Sequence, residues 1–114
     1  MADCIYCRIV NGELPSTRLY EDEDILVFKD INPQAPTHFL VIPKKHELTS
    51  SADVTSENSA IIARCFEVIA MLAKRENLSD GYRVITNSGR DAGQTVFHLH
   101  FHVLAGKPLG EHLV

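Results

Sequence analysis

The sequence predicts an α+β fold: a five-stranded antiparallel sheet with one long helix covering a face. Three observations carry that reading. Five short apolar or β-branched runs are separated by turn residues. One longer segment switches to helical periodicity. The strands follow one another closely in sequence, which favours antiparallel neighbours over crossover connections. A chain of 114 residues suits one domain, 1–114, and no repeat, low-complexity stretch or linker divides it.

Taken in order, Cys4 to Val10 is a short first segment that ends at the turn signal Asn11-Gly12. Arg18-Leu19-Tyr20 and Ile25-Leu26-Val27-Phe28 flank the acidic Glu21-Asp22-Glu23-Asp24 and read as a hairpin. Pro33 and Pro36 keep the chain irregular up to His38-Phe39-Leu40-Val41-Ile42, a β-branched strand stopped by Pro43. Between Thr55 and Glu76, residues Ile61, Ile62, Cys65, Phe66, Ile69 and Leu72 recur at helical spacing. Thr55 or Ser56 is the expected N-cap, Glu57 falls in the first turn, and Asn77 to Gly81 ends the helix. Tyr82–Thr86 and Val96–Leu104 complete the sheet, joined by the loop Asn87 to Thr95.

Composition narrows the function. Apolar residues make up 45% and charged residues 23%, as in ordinary globular proteins. A net charge of −4 argues against broad phosphate neutralisation, so no nucleic-acid partner is expected. A small anion can still be held locally by N–H donors and histidines. No apolar run approaches the length of a membrane span, so no membrane partner is expected, and Met1-Ala2-Asp3-Cys4 does not resemble a signal peptide. With three cysteines, an odd count, thiols or a metal site are favoured over disulfides and a cytoplasmic location is expected. Cys4-x-x-Cys7 reads as a redox pair, half a zinc site, or two thiols on a short helix; Cys65 lies on the apolar side of the long helix.

The segment His98-Leu99-His100-Phe101-His102 carries the strongest signal. In a strand, alternation puts the three histidines on one face and Phe97, Leu99, Phe101 and Val103 on the other. A solvated face readily carries one histidine, but three in strict alternation after a glycine-bearing loop form a polar stripe with no core role. One metal shared by all three is disfavoured, because His98 and His102 are about 13 Å apart along a strand while zinc–nitrogen bonds are about 2 Å. The three therefore divide the work. A neutral imidazole attacks phosphorus without prior deprotonation, and the central His100 is the natural nucleophile. His102 is placed to stabilise phosphoryl oxygens, and the loop around Gly93 offers backbone N–H groups and the Thr95 hydroxyl.

His98-Leu99-His100-Phe101-His102-Val103-Leu104 resembles the signature of the histidine-triad (HIT) superfamily. Asp30-Ile31-Asn32-Pro33-Gln34-Ala35-Pro36-Thr37-His38 through His46, and Gly93-Gln94-Thr95-Val96-Phe97, are similar to its Hint branch, and the likeness spans roughly residues 4 to 108. The resemblance implies the HIT-like fold, with a short N-terminal helix and two sheets joined in a homodimer through the long helices. It also implies cleavage of purine nucleoside 5′-phosphoramidates, such as AMP linked to an amine or a lysine, through a nucleotidyl-histidine.

Carried over to this chain, His100 is the nucleophile, His102 contacts the phosphate and His38 supports the triad. Thr95 stands where the family usually has the serine that helps the leaving group. Asn87, Gly93 and Gln94 line the phosphate side, and Asp30 grips the ribose beside Ile31. Ile5, Tyr6, Ile9 and Phe28 match the apolar slot for the base. Cys4, Cys7, His46 and His98 match the ligands of a structural zinc held by some members; no organic cofactor is implied. The tail Leu109 to Val114 lacks the tryptophan of better-known animal members, so no substrate preference transfers from it. Two rivals remain, a dinucleoside polyphosphate hydrolase and a nucleotide-binding interaction module with little turnover.

Overall fold

The structure is a computed structural model that describes residues 4–113. Helix α1 (Ile5–Val10) precedes strands β1 (Arg18–Glu21), β2 (Ile25–Lys29) and β3 (Thr37–Pro43). Helix α2 (Ala60–Arg75), β4 (Tyr82–Ile85) and β5 (Phe101–Ala105) follow. The strands form one antiparallel sheet, as the sequence predicts, and their order is β1-β2-β3-β5-β4. The hairpin turn is made by Asp22, whose Oδ1 accepts the N–H groups of Asp24 and Ile25, both at 2.8 Å.

Alternation along the strands builds a core on each side of the sheet. Ile25, Val27, Phe39, Val41, Phe101 and Val103 face α2, where they bury Cys65, Val68, Ile69 and Leu72. The opposite residues, Leu26, Phe28, Leu40 and Ile42, pack against Tyr6 and Ile9 of α1. The short N-terminal helix is thus the lid of a second core, and His38 and His102 share that side of the sheet with it. Helix α2 ends as expected: Asn77 is left-handed (φ 58°), and the N–H groups of Asn77 and Leu78 return to the carbonyls of Lys74 and Ala73 at 3.2 and 2.8 Å.

Two boundaries differ from the sequence reading by more than one residue, while others move by one, as where Pro43 is the last residue of β3 rather than its stop. The helix begins at Ala60 rather than directly after Thr55 or Ser56. Thr55 Oγ1 accepts the Glu57 N–H at 3.2 Å and Asn58 Oδ1 accepts the Thr55 N–H at 2.7 Å, closing a local turn that competes with helix. The last strand begins at Phe101 rather than Val96. Side chains occupy the carbonyls that would have formed the earlier rungs: His46 holds that of Phe97, His100 that of His98, and Thr86 that of His100. Phe97 consequently leaves the core face and is 51% exposed, while Leu99, Phe101 and Val103 stay buried.

Candidate active site and metal centre

The segment Val96–His100 crosses the end of the sheet on the α1 side, and its histidines take different environments. A carbonyl oxygen can only accept, so the ring nitrogen facing it carries the hydrogen. His98 Nε2–H donates to the Pro43 carbonyl at 2.7 Å, leaving Nδ1 bare and directed at Cys4 Sγ (3.4 Å) and Cys7 Sγ (3.7 Å). His46 repeats the arrangement: Nε2–H donates to the Phe97 carbonyl at 2.7 Å, and Nδ1 lies 3.3 Å from Cys7 Sγ. The four donor atoms of Cys4, Cys7, His46 and His98 all lie within 4.8 Å of one another. Two thiols and two imidazoles with free lone pairs, each imidazole oriented by a backbone carbonyl, suit tetrahedral zinc and its outer shell.

His100 is oriented the other way. Its Nδ1–H donates to the His98 carbonyl at 2.8 Å, which leaves Nε2 with a free lone pair. Burial lowers its pKa, so the ring is neutral at physiological pH. The Tyr6 ring meets it edge-on, with centroids 5.0 Å apart, and His102 lies 5.1 Å away on the other side. Burial, reinforced by the neighbouring His100 and His38, pushes His102 down to about 4.

His38 completes the set from β3. Its Nδ1 accepts the Gln34 N–H at 3.0 Å, so a neutral ring carries its hydrogen on Nε2 and donates it to His102 Nδ1 at 2.9 Å. That donation fixes His102 with its own hydrogen on Nε2, a donor for a phosphoryl oxygen. Asp30 Oδ2 stands 3.4 Å from His38 Nε2, while its Oδ1 accepts the Asn32 N–H at 2.8 Å. Asp30, His38 and His102 also converge closely enough to suggest a metal. The donors do not fit one, because both His38 nitrogens and His102 Nδ1 already belong to this hydrogen-bond relay.

Beside the triad, Ile5, Tyr6, Ile9, Phe28, Asp30 and Ile31 line an apolar cleft of about 490 Å³. Tyr6, Ile9 and Phe28 are buried; Ile31 stands at the rim, 95% exposed. In the loop ahead of Val96, Gly93 is left-handed (φ 80°) and closes a 3₁₀ turn over Arg90–Ala92. Gln94 is buried with every polar atom of its amide side chain committed: Nε2 donates to the Thr49 and Val96 carbonyls and Oε1 accepts the Gly89 N–H. It clasps the loop from inside. Thr95 follows with an exposed side chain, and Asn87 is half-buried at the loop's start. Three supporting groups escaped the sequence reading: the Gln34 N–H, the Pro43 carbonyl and the Thr86 hydroxyl, which donates to the His100 carbonyl at 2.8 Å. Two of these are backbone atoms, which residue type does not announce.

An α+β sheet presenting an alternating histidine segment beside an apolar cleft defines a histidine-triad protein. The chain belongs to the HIT domain family, whose sequence profile matches residues 11–109. It is 46% identical over 106 residues to a 14 kDa zinc-binding protein of Zea mays, covering 92% of this chain and 83% of that protein. It is 42% identical over 109 residues to a purine nucleoside phosphoramidase of Escherichia coli K12, covering 95% and 91%. Among solved structures, a HIT family hydrolase from Clostridium thermocellum superposes with a TM-score of 0.96 at 42% identity, covering 100% of this chain and 99% of that one. A histidine triad protein from Clostridium difficile gives 0.94 at 47% identity, covering 99% and 98%. No helix among the described residues is long and apolar enough to cross a membrane.

Proposed function

We propose that this protein hydrolyses purine nucleoside 5′-phosphoramidates through a nucleotide bound covalently to His100. One observation carries the reading: the His98 carbonyl holds the Nδ1–H of a neutral His100, so Nε2 presents its lone pair beside the cleft. The base enters the apolar slot and the ribose hydroxyls meet Asp30. Nε2 then attacks the α-phosphorus, and the phosphorus–nitrogen bond breaks as the amine leaves with a proton. The resemblance assigns delivery of that proton to the Thr95 hydroxyl. His102 Nε2–H donates to the phosphoryl oxygens as charge grows there. Water then attacks the same phosphorus, frees the 5′-monophosphate and restores His100.

Cys4, Cys7, His46 and His98 would hold zinc as a closed four-ligand site, where the ion braces the fold and takes no part in bond breaking. Dimerisation is part of the same reading. Phe66 (46% exposed) and Met71 (37% exposed) are exposed large apolar residues of α2, and β4 lies at the sheet edge with Tyr82 41% exposed. Two such edges and helices would join two sheets into one, which sedimentation velocity tests directly.

The chemical test offers adenosine 5′-phosphoramidate and diadenosine polyphosphate to wild type and to His100→Ala. The expected result is preference for the phosphoramidate, acid-labile nucleotide on quenched wild type, and neither turnover nor adduct in the variant. Unchanged turnover by His100→Ala overturns the nucleophile. Preference for the polyphosphate, or tight nucleotide binding without turnover, transfers the assignment to the corresponding rival.

A further inference from the structure

A buried polar atom in the cleft wall has no part in the chemistry above. Ser16 lines the cleft just ahead of β1, and its hydroxyl is the buried side-chain oxygen that lacks a hydrogen-bond partner among the described residues. An unpartnered buried hydroxyl is a cost to the free protein, which a ligand's polar atom removes once the side chain turns about χ1 into the cleft.

Its position along the cleft is set by α1. The start of that helix meets the triad, with Cys4 at His98 and the Tyr6 ring at His100. Its far end meets the segment before β1: the Arg18 guanidinium donates to the Ile9 carbonyl and the Leu14 N–H returns to the Arg8 carbonyl. The cleft therefore runs from the histidines, past Asp30, to Leu14-Pro15-Ser16. Its volume lies within the range of small-molecule sites, and Ile5, Ile9, Leu14, Phe28 and Leu40 give most of the wall no hydrogen-bonding capacity. Lys29 is exposed, and Asp30 serves the ribose in the proposed function.

We infer that Ser16 is a specificity-determining residue, whose hydroxyl bonds the polar edge of the nucleobase remote from the sugar. The inference rests on the proposed nucleotide site. With phosphate at the histidines and ribose at Asp30, the base's six-membered ring points toward Ser16. A serine hydroxyl both donates and accepts, and its single χ1 torsion lets it turn to either kind of partner. It therefore serves the 6-amino edge of adenine and the 6-oxo edge of guanine alike. The substrate class is a nucleotide with a hydrogen-bonding base edge, read without strict choice between the two purines.

Calorimetric titration of AMP, GMP and benzimidazole riboside 5′-monophosphate into wild type and Ser16→Ala tests this. The benzimidazole keeps the fused-ring shape, sugar and phosphate but lacks every polar atom of the six-membered ring. Ser16→Ala should weaken AMP and GMP binding about fivefold, the worth of one neutral hydrogen bond. It should leave the benzimidazole nucleotide unchanged and the melting temperature level or higher, because no internal bond is lost. Equal weakening of all three ligands, or no weakening of AMP and GMP, overturns the inference while the nucleotide site stands. Failure of wild type to bind any of the three overturns the site as well.

Discussion

Replacing Gln94 by alanine removes the clasp of the loop Asn87 to Thr95 and leaves the triad untouched. The side chain is 7% exposed and makes three hydrogen bonds, to the carbonyls of Thr49 (2.7 Å) and Val96 (3.1 Å) and from the N–H of Gly89 (2.8 Å). At about 1 kcal/mol for each bond, the loss sums to about 3 kcal/mol. For a domain of this size that corresponds to a fall in melting temperature of roughly 10 °C. Urea denaturation followed by circular dichroism measures it. Gln94→Met separates bonding from bulk, since it keeps most of the volume and none of the amide; it should be about as unstable as Gln94→Ala. Because the proposed function draws on Thr95 in this loop, kcat should fall together with stability. A loss under about 1 kcal/mol in Gln94→Ala, or recovery in Gln94→Met, would refute the assignment of this residue as a hydrogen-bonded staple.

Gly106 adopts φ +98° and a Cβ there would stand 2.8 Å from Pro36 Cβ, so Gly106→Ala should cost about 2 kcal/mol in chemical denaturation. Near-wild-type stability would show that Pro36 yields freely. Burial raises the pKa of the Asp22 carboxyl, but hydrogen bonds from Tyr20, the Asp24 and Ile25 N–H groups and Arg64 outweigh it and hold the group well below the usual carboxylate range. Such a depressed group stabilises the fold above its unfolded pKa of about 4 and loses that contribution as pH falls. Asp22→Asn should therefore be less stable than wild type at pH 7, with the gap narrowing steadily below about pH 4; a pH-independent gap would count against the charge. Protein purified without chelator should hold about one zinc per chain, and its removal should lower the melting temperature of wild type but not of Cys7→Ser. Less than about 0.2 zinc per chain would reject the metal centre.

Local chemistry made much of the fold legible in sequence. The hairpin could be read because two apolar runs flank the acidic Glu21-Asp22-Glu23-Asp24, and α2 because Cys65, Ile69 and Leu72 recur on one face. What misled was local chemistry overruled by distant atoms. Strict alternation through Val96–Leu104 describes a strand, yet the first five residues form none, because His46 and Thr86 reach in from other segments for their carbonyls. The helix start failed differently: Thr55 has the right residue type for a cap, and it caps a turn instead. Site residues from the triad were readable by pattern; Gln94 was readable as a position but not as a staple. Ser16 gives no signal in sequence, since its interest arises from the apolar walls folded around it.

The departure of Val96–His100 from the ladder also explains how one segment serves two centres. Within a regular strand, the three imidazoles would stand parallel in similar surroundings with their tautomers unset. Instead each ring is bound by a different partner: His98 by the Pro43 carbonyl, His100 by the His98 carbonyl, and His102 by the His38 ring. The first directs a bare Nδ1 at the thiols, the second leaves Nε2 with a free lone pair, and the third leaves His102 with an N–H on Nε2. His98 joins the two clusters, because its side chain faces the cysteines while its carbonyl orients His100, the proposed nucleophile. A change of backbone at His98 therefore reaches His100 through a single hydrogen bond of 2.8 Å.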